Sequence, residues 1–208
     1  PNGTRSELMN WLAPDSKFMR AWSNLIDGIW VNILMLVTSI PIITIGAALT
    51  AGHDACRRSI EGEGKGVTAN YFRSFKANFV KATLLWLPFL VVLIALAWSW
   101  IVLQFTPLLI IKFALTIIWL IGFEWVFALQ ARFETPCRYP EERLYFGISH
   151  IAMTAALVVV DAVFVALLVG SWFYMPGGLF LLVILGYGTM LMLHIPVTER
   201  VFKPYLQQ

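Results

Sequence analysis

Charge is scarce in this chain. Of its 208 residues only 13% are Asp, Glu, Lys or Arg, about half the share of a soluble domain. That excludes an ordinary water-soluble globule and a charge-rich disordered chain. Cysteine is scarce too. Cys56 and Cys137 stand far apart with no Cys-x-x-Cys spacing, so neither a metal ribbon nor a disulfide scaffold is expected. Gly-x-Ser-x-Gly and His-Glu-x-x-His motifs are missing, which argues against hydrolase and metalloprotease chemistry. No enzyme activity, cofactor or metal is expected. No long basic patch runs beside base-stacking aromatics, so nucleic acid is not an expected partner.

What the chain has is apolar length. Hydrophobic residues make up 59% of it, with nine tryptophans, and the mean hydropathy is +0.76. A membrane-crossing helix needs about 20 apolar residues. Residues 28–53 and 82–111 carry no Asp, Glu, Lys or Arg, and residues 144–198 carry only Asp161. The last stretch is too long for one helix, and Pro176-Gly177-Gly178 is its natural break. The expected spans are about 22–50, 82–104, 108–131, 146–170 and 178–198. In lipid every backbone polar group must be satisfied within its own segment or in a closed barrel. The uniformly apolar runs lack the period-two alternation of barrel strands. The predicted class is therefore all-α: a polytopic membrane protein with about five transmembrane helices and one cytoplasmic amphipathic helix. Residues 1–8 read as a cloning remnant ahead of Met9, and 9–208 as a single membrane domain.

Alternating the five spans places Lys17, Arg20 and Lys112 on one side, and eleven other Lys and Arg on the opposite side. The positive-inside tendency makes the richer side cytoplasmic. The expectation is a multi-pass cell-membrane protein with its N-terminus outside and its C-terminus in the cytoplasm. Both cysteines then face a reducing compartment. Trp22, Trp98, Trp100, Trp172 and Tyr174 fall near the expected outer ends, and Trp86, Trp125, Tyr139 and Tyr145 near the inner ones, as interfacial aromatics do. Trp98, Trp100, Trp172 and Tyr174 serve there as lipid-belt anchors or as faces on which a sugar ring stacks.

The expected cytoplasmic loop, 53–81, contains Glu61-Gly62-Glu63-Gly64-Lys65-Gly66, which lacks the Gly-Lys-Ser/Thr ending of a phosphate-binding loop. Beyond it, Phe72, Phe75 and Phe79 recur at helical spacing, while Arg73, Lys76 and Lys81 point elsewhere. Such a helix lies in the headgroup plane, phenylalanines down and cations toward anionic lipid headgroups. It serves as a simple anchor or as a docking surface for a cytoplasmic partner.

Ionisable side chains inside a span are expensive and mark interior or functional positions. Asp27 and Lys112 fall at similar depth near the outer end, so they are expected to pair, and Lys112 also has the reach to approach Asp161. Asp161 lies deepest, and Glu124 lies toward the inner end with His53, His150 and His194. Asp161 and Glu124 are the leading functional candidates, as a proton relay or as structurally satisfied groups. Pro41 is expected to kink the first span, with Thr44 recovering a freed carbonyl and Gly46 opening a close-packing seam.

Asn32, Ser39-Ile40-Pro41-Ile42-Ile43-Thr44-Ile45-Gly46-Ala47-Ala48, Phe72-Arg73-Ser74-Phe75-Lys76-Ala77-Asn78-Phe79 and Ala131-Arg132-Phe133-Glu134 together resemble the YesL-like family of small bacterial membrane proteins. The resemblance runs along the chain from Met9. It implies a non-enzymatic accessory linked to carbohydrate uptake beside an ABC-type sugar importer, and it implies no catalytic residues. The alternative is a small transporter or channel in its own right, working as a homo-oligomer through Asp161 and Glu124.

Overall fold

The computed structural model describes residues 16–103, 105–132 and 148–206. Residues 1–8, Cys137 and Tyr139 and Tyr145 lie outside the described residues. Six long helices make up the described chain: α1 (Lys17–Thr38), α2 (Ile45–Glu61), α3 (Val67–Val102), α4 (Leu108–Arg132), α5 (Ile151–Tyr174) and α6 (Pro176–Leu206). Five of them are long and apolar enough to cross a membrane, all but α2. The molecule is an all-helical, multi-pass bundle of membrane type.

Local chemistry sets the ends. Ser16 Oγ accepts from the Met19 N–H at 3.1 Å and caps α1. At the other end Pro41 cannot donate to a helix. The chain leaves α1 at Ser39, and a short 3-10 turn, Ile42–Thr44, follows. Thr44 Oγ1 donates to the carbonyls of Thr38 (2.5 Å) and Pro41 (2.7 Å) and locks that turn. Gly62, at φ 71°, closes α2 as a left-handed C-cap. Pro176 opens α6 at the position where its missing N–H matters least.

The expected single span over 22–50 is two helices. Asp27 on α1 accepts from Ser59 on α2, a Cβ on Gly52 would meet the Met35 sulfur, and Thr44 bonds to Thr38. These contacts step down toward the turn, so α1 and α2 form an antiparallel hairpin, with Pro41 at its tip in place of a kink. The reason is local: Ser39 to Thr44 supply a proline, two hydroxyls and a complete set of turn hydrogen bonds, so reversal leaves no backbone group stranded.

That reversal changes the arrangement of the ends. The 62–66 turn lies near the middle of α1, where Ser59 donates to Asp27 and Trp30 donates to Thr68. On α6, a Cβ at Gly188 would touch the carbonyl of Gly28, and one at Gly28 would touch Met192. Arg132 at the end of α4 pairs with Glu199 near the end of α6 at 3.3 Å. α1 and α6 therefore run antiparallel, with the first half of α1 beside the second half of α6. Lys112 lies at the other end of the bundle.

α2 is the buried axis. Every residue from Gly46 to Arg57 is buried, wrapped by α1, α3, α4 and α6. Its Gly46, Ala47, Ala48, Ala51, Gly52 and Ala55 are small, which lets neighbouring backbones approach closely where lipid offers no hydrophobic drive for association. Outside, α3, α4 and α5 present Val91, Ile94, Ile101, Ile110, Val163 and Leu167 to the surroundings, each more than half exposed.

The expected loop 53–81 shrinks to residues 62–66. The Phe72–Phe79 stretch is the first part of the long α3 and not a separate surface helix. Its buried face is polar and small, made by Asn70, Tyr71, Ser74, Asn78 and Ala82. Phe72 and Phe79 face outward, while Phe75 is partly buried and stacks on Tyr71 at 6.2 Å. The apolar stripe is the outer one because α2 occupies the other face.

Candidate functional site

Four helices bring titratable side chains to one place in the bundle. Glu124 comes from α4, Asp161 from α5, His194 from α6 and His53 from α2. Asp161 Oδ1 lies 3.3 Å from His194 Nε2. Glu124 is a near neighbour of Asp161 across the α4–α5 contact. Glu124 and His194 are buried, with 5% and 1% of their surface exposed. The Tyr187 ring stands edge-on to His194 at 6.3 Å between centroids. The Asp161–His194 approach is close but not aligned as a hydrogen bond, and neither atom finds another partner among the described residues.

Sequence reasoning placed Asp161 and Glu124 inside the membrane but missed that they are neighbours. It had Lys112 within reach of Asp161, where the structure places His194. The signal was present in His194, a histidine within an apolar run of the last span. His150, grouped with these histidines by sequence, instead caps the start of α5 beside Ser149.

Asp27 and Lys112 do not pair. Asp27 is engaged by Ser59. Lys112 is buried and donates to the carbonyls of Ser99, at 2.7 Å, and Leu103. Its ammonium also lies 5.6 Å from the Trp100 ring centroid, within cation–π range. A cation there satisfies the open carbonyls at the C-terminus of α3. The two residues lie at opposite ends of the bundle because α1 enters from the side where α2 ends.

Trp86 and Trp125 are core residues and not belt anchors. Trp86 donates to the carbonyl of Ile42 at 2.8 Å and pins the hairpin tip. Trp125 donates to Thr154 at 2.8 Å and ties α4 to α5. Arg57 and Arg58, counted as loop cations, belong to α2. Arg57 bonds to Asp54 at 2.8 Å and Glu61 at 2.5 Å, and Arg58 bonds to Asp54 at 2.9 Å.

The helix beside the acid–histidine cluster is broken. Gly186, at φ 46° and ψ −163°, interrupts α6. Asn32 from α1 fills the break. Its amide donates to the carbonyls of Val183 (2.8 Å) and Ile184 (3.0 Å), and its oxygen accepts from the Gly188 N–H at 3.3 Å. Thr189 Oγ1 serves the carbonyls of Leu185 and Gly186, each at 2.9 Å. An interrupted membrane helix is tolerated only when neighbours re-satisfy its backbone, and here Asn32 and Thr189 do so. Sequence reasoning noted Asn32 only as part of a family resemblance.

Between α1, α5 and α6 lies an open cavity of about 670 Å³. Leu25, Val163, Phe164, Leu182 and Leu193 are typical of its walls, with Asn24 and Thr189 its polar members. Among the described residues no three His, Cys, Asp or Glu side chains converge as metal ligands. No curated protein and no solved structure matches the chain. Residues 29–100, from α1 through most of α3, match the family model described as "Protein of unknown function, DUF624".

Proposed function

We propose that this chain is a non-enzymatic cell-membrane protein that serves as an accessory in carbohydrate uptake, beside an ABC-type sugar importer. Asp27 is engaged by Ser59 and Lys112 by two carbonyls within the bundle. The cavity between α1, α5 and α6 is lined almost wholly by apolar side chains. That apolar lining, which offers a sugar few hydrogen-bonding partners, is the observation that carries the reading. The YesL-like resemblance supplies the carbohydrate link, and most of its residues fall inside the matched stretch 29–100. The C-terminal side, read from the sequence as cytoplasmic with the N-terminus outside, carries most of the Lys and Arg, which suits contact with anionic lipid headgroups.

The test is affinity purification of the tagged full chain from native membranes, followed by reconstitution of the chain alone. The expected outcome is copurification of importer subunits and no sugar uptake by liposomes holding only this chain. Sugar uptake by those liposomes, lost in Asp161→Asn, would instead establish the second reading. That reading is a transporter working as a dimer, favoured by the proximity of Glu124, Asp161 and His194 within the bundle.

A further inference from the structure

We propose that Glu124 and Asp161, beside His194, form a proton-binding site inside the bundle. The inference depends on neither reading above, because it concerns what these side chains bind and not what the protein delivers. Two carboxyl groups from different helices are near neighbours in a place largely closed to water. Nearby charges of like sign in such surroundings are strongly disfavoured. A single proton held between the two oxygens removes the conflict, since a protonated carboxyl donates to its ionised neighbour. His194 Nε2 lies 3.3 Å from Asp161 Oδ1 and closes the third side of the site.

The surroundings fit this role. Tyr187 and His194 from α6, His53 from α2, Glu124 from α4 and Asp161 from α5 are the titratable groups in this neighbourhood, with the Tyr187 ring edge-on to His194 at 6.3 Å. Arg57, Arg132 and Glu199 share a small cleft with His53. Asp161 Oδ1 and His194 Nε2 are both buried atoms without an aligned partner. A group that served only to hold helices together would be expected to have its hydrogen bonds made.

The test is thermal unfolding of the purified full chain in detergent micelles across a series of pH values, for the wild type, Glu124→Gln and Asp161→Asn. The expected result is a difference between wild type and variant that changes with pH, because each variant removes one of the two carboxyl groups. An equal offset at every pH would mark the residues as packing groups and overturn the proposal. Should the variants fail to fold, infrared spectroscopy of the wild type decides the matter. A protonated-carboxyl carbonyl band at neutral pH, shifted by deuterium oxide, is expected. Its absence would refute the site. Neither measurement involves sugar or an importer.

Discussion

At the residue scale the bundle depends on a few positions where a side chain has no room. A Cβ on Gly46 would fall 2.5 Å from the Ala82 carbonyl and 2.5 Å from the Trp86 Cβ. Neither neighbour yields easily, since one is backbone and the other a ring pinned by its bond to Ile42. Gly170 is the contrasting case, with nothing near its Cβ position within 4 Å. We therefore expect Gly46→Ala to lower stability by about 1–3 kcal/mol, the usual range for overpacking. Gly170→Ala should be neutral or stabilising by up to about 1 kcal/mol through helix propensity. Melting curves of the two variants in the same detergent check the opposite signs. A shared sign would mean that the α2–α3 seam is looser than the geometry states.

At the element scale α6 is the unusual helix. Its break at Gly186 leaves carbonyls and an N–H that a continuous helix would have satisfied, and one side chain on α1 answers three of them. Asn32→Leu keeps much of the volume and removes all three bonds. A buried backbone group left unpaired costs about 1–3 kcal/mol, so we expect a large drop in melting temperature. Hydrogen exchange at the Gly188 amide should also rise while the amides of α5 stay protected. Unchanged exchange at Gly188 would show that something other than Asn32 holds the break. The other elements follow more ordinary rules. α1 stops at a proline-containing turn, α2 at a left-handed glycine, and α3 at carbonyls covered by Lys112. The break at Pro176 and the end of the second span near Gln104 were legible in the sequence, because caps and breakers act within a few residues, whereas α2 and the continuity of α3 across residue 81 were not. The Pro41 turn shows why. A proline in an apolar run is compatible with a kink or a reversal, and only the packing of α2 against α3 and α4 distinguishes them.

At the scale of the whole molecule the hairpin decides which ends meet. With α1 and α2 antiparallel, the 62–66 turn lies near the middle of α1, and Phe105 lies between α3 and α4, at the other end of α3. In a variant whose two native cysteines are changed to Ala, Lys65→Cys and Phe105→Cys should react with a membrane-impermeant thiol reagent from opposite faces. Labelling of both positions from one face would mean that α3 does not cross the membrane. The same hairpin explains the separation of Asp27 from Lys112, a pair that looked matched in depth when the first span was read as one rod.

The amino-acid sequence alone determined that the chain is helical, apolar on the outside and long enough to cross a membrane five times. Those properties are local, set by runs of side chains and by the demand that each segment satisfy its own backbone in lipid. It also marked Asp161 and Glu124, because a charge in an apolar run is conspicuous without any structure. Only the tertiary structure decided that these two acids are neighbours of each other and of His194, that Asn32 mends a broken helix far along the chain, and that α2 is buried at the centre. Those are relations between distant segments, created by the direction in which helices return. A single chemical turn at Pro41 reverses that direction without altering the hydropathy pattern on either side.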